Sequence, residues 1–190
     1  PAGYATNISV AGISEGLCGS DRPGHFDGVA TVVCKLFNQV RPDSALFGEK
    51  DWQQLAVIRR MARDLDLTLP HVDRIIGVPI VRADDGLAMS SRNAYLSPAQ
   101  RAQAAALPRL MRETIARLIG GDPVENALRR LQKELVEAGF DSVDYADLRR
   151  GADLQTTREI GPDNRLFVAA RIGRTRVIDN MPVAWGFARS

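Results

Sequence analysis

The sequence predicts an α/β fold in the first half of the chain and a small α+β fold in the second half. Two short apolar runs, at 45–47 and 75–81, flank an amphipathic pattern over 50–65. This order is typical of a strand–helix–strand unit in a parallel sheet. After residue 81, two helical patterns precede three strand-like runs, the last two joined by Gly173-Arg174 in a tight hairpin. We place the boundary near Val81, giving domains of 1–80 and 81–190.

The elements of the first half follow from the spacing of apolar residues. An alternating run at 6–10 predicts a strand. The i, i+3, i+4, i+7 spacing that follows predicts a helix that ends before Pro42. A second helix is predicted from Lys50 to about Leu65, and 75–81 is predicted to be a buried strand. The inward face of the first helix is predicted to comprise Val29, Val32, Val33, Leu36, Phe37 and Val40, and that of the second Leu55, Ile58, Met61 and Leu65.

The second half begins with a polar segment, 82–94, that has no periodicity and is predicted to be a loop. Ser97 and Gln100, three residues apart, have the spacing of a capping box, and the helix they begin is predicted to reach Gly120. A further helix is predicted to be capped at Asp122-Pro123 and to end at Gly139. Strands are predicted at 143–148, 166–172 and 175–178.

Composition excludes several classes of protein. Of the 190 residues, 45% are apolar and 25% charged, which is typical of a globular chain and not of a disordered one. The net charge of +2 does not favour a nucleic-acid partner, and no apolar run is long enough to span a membrane. Cys18 and Cys34 are too few for a disulfide framework, so we expect a cytoplasmic protein. Because the chain starts at Pro1 and not at Met, we expect a processed or truncated chain.

The segment 47–54 is the first candidate site, because it joins a predicted buried strand to a helix. Ligands bind at the carboxyl ends of parallel strands, and a helix N-terminus favours anions. Gly48 permits close approach of a ligand, Lys50 suits phosphate oxygens and Asp51 suits ribose hydroxyls. Gln54, one turn on, offers a donor and an acceptor to a polar substrate. A helix start with solvated charges has the same pattern.

The second candidate site is the run Met89-Ser90-Ser91-Arg92-Asn93. Its hydroxyls, guanidinium and backbone N–H groups suit a phosphate. A polar interdomain linker has a similar composition, so this alternative stays open. His25 is interpreted as a structural residue, His71 as a surface residue and Cys34 as buried. Two histidines and two cysteines without ligand spacing predict no metal site.

Three segments carry a resemblance to a known family: RPGHFDGVATVV at 22–33, FGEKDWQQL at 47–55 and DGLAMSSRNAYL at 85–96. Together with IDN at 178–180 they resemble the pantothenate synthetase (pantoate–β-alanine ligase) family along essentially the whole chain. The resemblance implies that the first domain is the remainder of a Rossmann-like nucleotidyltransferase domain, similar to that of class I aminoacyl-tRNA synthetases. It implies that the second is a C-terminal lid domain.

The resemblance also implies an activity and the residues that perform it. The family condenses pantoate with β-alanine through a pantoyl adenylate, consuming ATP with magnesium and releasing AMP and pyrophosphate. It implies a homodimer with no nucleic-acid or membrane partner. Gln54 would bind pantoate, Lys50 would be catalytic and Val81 would meet adenine through its backbone. The implied ATP-binding residues are Gly48, Glu49, Lys50, Asp51, Val81, Met89, Ser90, Ser91 and Arg92.

Two departures from the family pattern stand out. The segment 66–74 is longer than the family's link between helix and strand, and we expect a surface excursion there. The family's His-x-Gly-His signature is absent from the sequence, whose histidines are His25 and His71. We therefore expect an incomplete, inactive fragment of the enzyme. The alternatives are another nucleotidyltransferase of the same superfamily and a non-catalytic interaction module.

Overall fold

The chain folds into two compact units, the first ending at Pro79 and the second beginning at Ile80. The computed structural model of the protein describes residues 2–183. Residues 184–190 of the predicted second domain, like Pro1, lie outside the described residues. Within the described part of the chain, no helix has the length and apolar character needed to cross a membrane.

The first unit contains the predicted parallel strand–helix–strand arrangement. Strands β1 and β2 pair in parallel, with Ala45 opposite Ile75 and Gly48 opposite Val78. The predicted α/β order is therefore confirmed. The elements in chain order are α1 (Leu17–Asp21), α2 (His25–Val40), β1 (Ala45–Gly48), a 3₁₀ turn (Glu49–Asp51), α3 (Trp52–Asp64), a second 3₁₀ turn (Val72–Arg74) and β2 (Ile75–Val78).

The strand predicted at 6–10 is wrong, because this segment has no regular secondary structure and pairs with no strand among residues 2–183. Its backbone is held by α2 instead. The Ile8 N–H donates to Thr31 Oγ1 at 2.8 Å, and that hydroxyl donates to Asn7 Oδ1 at 3.1 Å. The short helix α1 was not predicted.

Helix α2 ends before Pro42, as predicted, but half of its predicted inward face is wrong. Val32, Leu36 and Val40 are exposed, Val40 to 68%. The α2 residues that are buried are Phe26, Ala30, Thr31, Cys34 and Phe37. The predicted inward residues and the residues that are buried lie on overlapping faces of the helix. The spacing of apolar residues is therefore compatible with either face being buried. Leu65, which was predicted to face inward on the second helix, lies directly after α3 and is exposed.

One face of the two-stranded sheet is open. Leu46, Ile76 and Val78 are exposed, Leu46 to 67%. We call these three residues the open sheet face. The second strand was predicted to be buried as far as Val81, but β2 ends at Val78 and only Ile75 within it is buried. Parallel sheets are normally covered on both faces, so this exposure is unusual.

The second unit is an α+β fold, as predicted. Its elements are α4 (Pro98–Ala104), α5 (Ala106–Ile119), α6 (Val124–Glu137), β3 (Ser142–Arg150), β4 (Asn164–Ile172) and β5 (Thr175–Pro182). The strands form one antiparallel sheet in the order β3-β4-β5. The capping box of Ser97 and Gln100 is confirmed, but the single helix predicted from it is divided at Ala105 into α4 and α5. At α6 the N-cap is Pro123, and no side chain caps the helix.

Helices α5 and α6 pack on this sheet around a continuous apolar core. Leu107, Met111, Leu131 and Leu135 have no exposed surface. An ion pair between Arg117 and Glu134 joins the two helices, with two hydrogen bonds of 2.8 and 3.0 Å. The Arg117 hydrogen bonds, helped by Arg130, hold the pKa of Glu134 below its usual range against the effect of burial.

Candidate active site

The junction between β1 and α3 lies at the carboxyl end of a parallel strand. Gly48 ends β1, and a 3₁₀ turn that contains Lys50 leads into α3. Lys50 is half-buried and Asp51 is exposed. Asp51 occupies the N-cap position of α3 but makes no capping hydrogen bond through its side chain. Its carboxylate therefore remains on the surface beside the start of the helix.

Gly48 and Glu49 differ in what surrounds them. A Cβ atom at position 48 would meet no atom of the chain within 4 Å. The packing of the described residues therefore does not require glycine there, and the missing side chain leaves open space beside the junction. The Glu49 side chain lies against β2, because a Cβ at Gly77 would come within 2.9 Å of Glu49 Oε1.

The two neighbouring glutamines on α3 have different environments. Gln53 is only 5% exposed. Its Oε1 accepts from the Cys18 N–H at 3.0 Å, and its Nε2 donates to the Ile13 carbonyl at 3.0 Å and the Gly16 carbonyl at 3.2 Å. Gln53 thus attaches the segment before α1 to α3. The Gln54 side chain is half-buried and makes no hydrogen bond with any residue in 2–183, so its amide is available to a ligand.

In the second unit, an ion pair anchors the start of the predicted loop. Arg82 binds Asp179 of β5 through two hydrogen bonds, Nη1 to Oδ2 at 2.7 Å and Nη2 to Oδ1 at 2.9 Å. The Asp179 side chain has no exposed surface. Arg82 Nη1 also donates to the Gly86 carbonyl at 2.9 Å. Because a planar guanidinium fits a carboxylate in one orientation, this pair holds the loop in a defined position.

Residues 82–88 form a small turn of defined structure. The Ala83 N–H donates to the Leu87 carbonyl, and Gly86 has a φ of 88°. This positive φ favours glycine, and a Cβ there would also lie 2.5 Å from an Arg112 Nη atom, so that side chain would have to move. Asp85 accepts from the Leu87 N–H, and its hydrogen bond with Arg101 holds the pKa of its carboxyl below the usual range.

The run 89–93 follows directly and presents polar groups at the surface. Ser90 Oγ accepts from the Arg92 N–H at 3.2 Å and begins a 3₁₀ turn over Ser91–Tyr95. Asn93 Nδ2 donates to the Ala88 carbonyl at 3.1 Å. Met89, Ser91 and Arg92 are exposed. The run therefore has ordered local structure and lies within the second unit, which begins at Ile80.

Val81 is exposed and lies beside this run within the second unit. Its carbonyl accepts from the Met89 N–H at 2.9 Å. Its own N–H has no acceptor among residues 2–183. A backbone donor is therefore open to a ligand at this position.

The two histidines and Cys34, which the sequence analysis did not assign to a site, contact neighbouring residues or are buried. The His25 ring lies 5.1 Å from the Phe26 ring at the start of α2. His71 is exposed, and its Nδ1 accepts from the Asp73 N–H at 3.4 Å. Cys34 is buried, as predicted. Among the described residues, no three His, Cys, Asp or Glu side chains form a group that could hold a metal ion.

The model of one protein family, described as pantoate-beta-alanine ligase, matches residues 2–182. The chain belongs to this family. A pantothenate synthetase of Novosphingobium aromaticivorans is 69% identical over 184 residues, which are 96% of this chain and 64% of that protein. A second, from Sphingopyxis alaskensis, is 55% identical, again over 96% of this chain and 64% of its own length. The chain thus spans about two thirds of the length of these ligases.

Solved structures of the ligase family have the same fold. The pantothenate synthetase of Thermus thermophilus superposes with a TM-score of 0.89 at 42% identity, covering 97% of this chain and 66% of that one. The ligase of Francisella tularensis, whose crystals contained beta-gamma ATP and β-alanine, gives a TM-score of 0.74 at 29% identity over 98% of this chain and 61% of that one. The predicted family and fold class are confirmed.

Sequence reasoning missed three residues that position the candidate site: Asp179, Arg82 and Gln53. Asp179 was matched only as part of the IDN motif, without a role, and its partner Arg82 was part of an unassigned loop. Gln53 was not distinguished from Gln54. The available signal was the IDN motif itself, because an acidic residue in an apolar strand needs a cationic partner when buried.

Proposed function

We propose that this chain contains the ATP-binding and pantoate-binding residues of an enzyme that condenses pantoate with β-alanine at the expense of ATP. The observation that carries the proposal is the β1–α3 junction in a chain of this ligase family. There Lys50, Asp51 and an unengaged Gln54 amide follow one another at the carboxyl end of a parallel strand. Lys50 and Asp51 can bind the phosphates and ribose of a nucleotide, and the Gln54 amide can bind a small carboxylic acid.

Each group of the junction has a task in this reaction. Lys50 stabilises the negative charge that develops on the phosphate oxygens, which requires a cation but no proton transfer. Asp51 accepts hydrogen bonds from the ribose hydroxyls. The open space at Gly48 admits the nucleotide close to the backbone, and Glu49 lies beside it against Gly77. The Gln54 amide binds pantoate by donating to and accepting from its polar groups.

The second unit supplies further contacts to ATP. Met89, Ser90, Ser91 and Arg92 contact the triphosphate, and the Val81 backbone meets adenine. We assign residues 1–80 to ATP and pantoate binding and residues 81–190 to a lid. A lid excludes water, which would otherwise hydrolyse an acyl adenylate.

The proposed reaction has two steps. A pantoate carboxylate oxygen bonds to the α-phosphorus of ATP and pyrophosphate leaves, giving pantoyl adenylate. The β-alanine amine then bonds to the acyl carbon, AMP leaves and the amine loses a proton. Magnesium would be held by the ATP phosphates, because Mg²⁺ prefers phosphate oxygens and water to an all-protein cage, and it would supply positive charge to the leaving pyrophosphate.

We further propose a homodimer, a cytoplasmic location, a nucleotidyltransferase fold and no nucleic-acid or membrane partner. They are supported by family membership, the near-neutral charge and the two cysteines. Residues 1–190 alone are proposed to be inactive, since they span 64% of the N. aromaticivorans relative and lack the His-x-Gly-His signature.

The test is product analysis with the protein of the complete reading frame that contains residues 1–190. ATP, pantoate and β-alanine should yield equal amounts of pantothenate and AMP, measured by mass spectrometry. Omitting any one substrate should abolish pantothenate. AMP formed without pantothenate, or a dinucleotide product, would contradict the proposal and favour another nucleotidyltransferase.

A further inference from the structure

Residues 81–89 of the second unit form one small hairpin, which includes the turn over 82–88. The backbone folds back on itself as an antiparallel pair. The Met89 N–H donates to the Val81 carbonyl at 2.9 Å, and the Ala83 N–H donates to the Leu87 carbonyl at 2.9 Å. We call residues 81–89 the loop hairpin. Its two ends are held together by these hydrogen bonds.

The loop hairpin is attached to the rest of the second unit at two points. The Leu87 side chain has no exposed surface and lies in the apolar core. Arg82 binds Asp179 of β5 through two hydrogen bonds of 2.7 and 2.9 Å, and it also donates to the Gly86 carbonyl at 2.9 Å. Asp179 Oδ1 accepts the Asn180 N–H at 2.8 Å, so the backbone of β5 orients the carboxylate.

The Arg82–Asp179 pair is better suited to fixing an orientation than to adding stability. The Asp179 side chain has no exposed surface, and that of Arg82 is 23% exposed. Moving two charges out of water costs free energy that their attraction only partly returns, so a buried ion pair is a weak source of stability. Two parallel hydrogen bonds, however, allow a guanidinium only one orientation against a carboxylate. The pair therefore holds the loop hairpin in one position on β5.

The group next to this anchor is the Val81 backbone. Its carbonyl accepts from the Met89 N–H, whereas its own N–H has no acceptor among residues 2–183. The loop hairpin thus offers a hydrogen-bond donor one residue away from the Arg82 guanidinium. A purine that meets this donor with an acceptor gains a hydrogen bond, and one that meets it with another N–H leaves both donors unsatisfied.

We propose that Arg82 and Asp179 are positioning residues that make the loop hairpin select adenine over hypoxanthine, the base of ITP. This inference rests on the proposed function, in which the Val81 backbone meets adenine. Adenine has an acceptor at N1, whereas hypoxanthine has an N–H there. A loop hairpin fixed to β5 holds the Val81 N–H opposite N1, so hypoxanthine is disfavoured. Once released from β5, the backbone can shift towards the O6 acceptor of hypoxanthine, and the selection is lost.

The test is calorimetric titration of the complete protein that contains residues 1–190 with ATP and, separately, with ITP. The unaltered protein should bind ATP about tenfold or more tightly than ITP. Asp179→Asn should weaken ATP binding and reduce the preference to about threefold or less. Arg82→Lys keeps a cation beside the buried carboxylate but loses the two-bond geometry, so it should reduce the preference even if Asp179→Asn does not fold.

Glu134→Gln is the matched control. Glu134 forms a pair of the same two-bond geometry with Arg117 in the same unit, away from the loop hairpin. Its loss should leave the preference for ATP over ITP unchanged, because a general loss of stability does not alter the choice between two purines. Pantoate binding should change less than about twofold in all three variants. No preference in the unaltered protein, or an undiminished preference in Arg82→Lys, would overturn the proposal.

Product analysis of the same proteins separates this proposal from the proposed function. If the unaltered protein forms pantothenate and AMP but the variants keep their preference for ATP, only the positioning role is wrong. If it forms no pantothenate but Arg82→Lys and Asp179→Asn lose the preference, the positioning role stands and the ligase function is wrong. A protein that does not bind ATP would contradict both.

Discussion

At the scale of single residues, the two adjacent glutamines of α3 separate stability from ligand binding. Gln53→Ala leaves buried backbone groups of the 13–18 segment without partners and should lower the free energy of unfolding by about 2 kcal/mol. Gln54→Ala removes no hydrogen bond within residues 2–183 and should change it by less than about 0.5 kcal/mol. Denaturant unfolding of both variants measures this difference.

Gln54→Ala, the variant with the smaller expected effect on stability, should have the larger effect on pantoate binding. Gln54→Ala should weaken pantoate binding far more than ATP binding, because the amide is assigned to the acid and not to the nucleotide. Calorimetric titration of the complete protein with each substrate checks this. Equal losses for pantoate and ATP, or equal destabilisation by the two substitutions, would show that the assignment is wrong.

At the scale of elements, the Arg82–Asp179 pair attaches the 82–88 turn to β5. Asp179→Asn removes a buried carboxylate and leaves Arg82 without its partner, which should cost about 3 kcal/mol. Amide hydrogen exchange at Ala83, Leu87 and Met89 should become faster. Asp153→Asn, at the exposed pair with Arg150 outside the turn, is the control and should have a smaller effect. Unchanged exchange in Asp179→Asn would mean that the pair does not order the turn.

The pair between α5 and α6 predicts a dependence of stability on pH. The folded-state pKa of Glu134 is lowered, so its contribution is present above the ordinary glutamate pKa and is lost as the pH falls through the folded value. Glu134→Gln should therefore lower the free energy of unfolding by about 1–2 kcal/mol at neutral pH. The difference from the unaltered chain should shrink below about pH 4.

Urea denaturation at several pH values measures the Glu134 effect. Glu137→Gln is a matched control on the same helix, because its pair with Lys133 is exposed and 3.5 Å long. That substitution should cost less than about 0.5 kcal/mol at any pH. A Glu134→Gln difference that persists undiminished at pH 3 would contradict the assignment.

Local sequence signals predicted the elements better than they predicted burial. The Ser97 capping box and the Gly173-Arg174 hairpin were predictable because their geometry depends on residues within four positions. The inward face of α2 was not, since Val32, Leu36 and Val40 have the same spacing as a buried stripe. Only the position of the sheet decides between the stripes. The candidate site residues were predicted from motifs, whereas the Arg82–Asp179 pair joins residues 97 positions apart.

At the scale of the whole molecule, the open sheet face and the exposed α2 residues Val32, Leu36 and Val40 should cause residues 1–190 made alone to self-associate. Exposed apolar surface and an unpaired strand edge favour self-association. We expect concentration-dependent association in analytical ultracentrifugation and no detectable pantothenate formation. Leu46→Lys should reduce association, whereas Val136→Lys, which changes an exposed residue of α6, should not. A monomer at high concentration, or robust turnover, would contradict this expectation.

Pantoate-dependent exchange of pyrophosphate into ATP tests the central claim most directly. With the complete protein and no β-alanine, exchange should require pantoate, because the first step forms pantoyl adenylate and pyrophosphate reversibly. Lys50→Ala should slow it about a hundredfold or more, corresponding to about 3–4 kcal/mol in the transition state. Lys133→Ala, at an exposed lysine of α6, should leave it unchanged. Exchange that is independent of pantoate, or a normal rate in Lys50→Ala, would contradict the account.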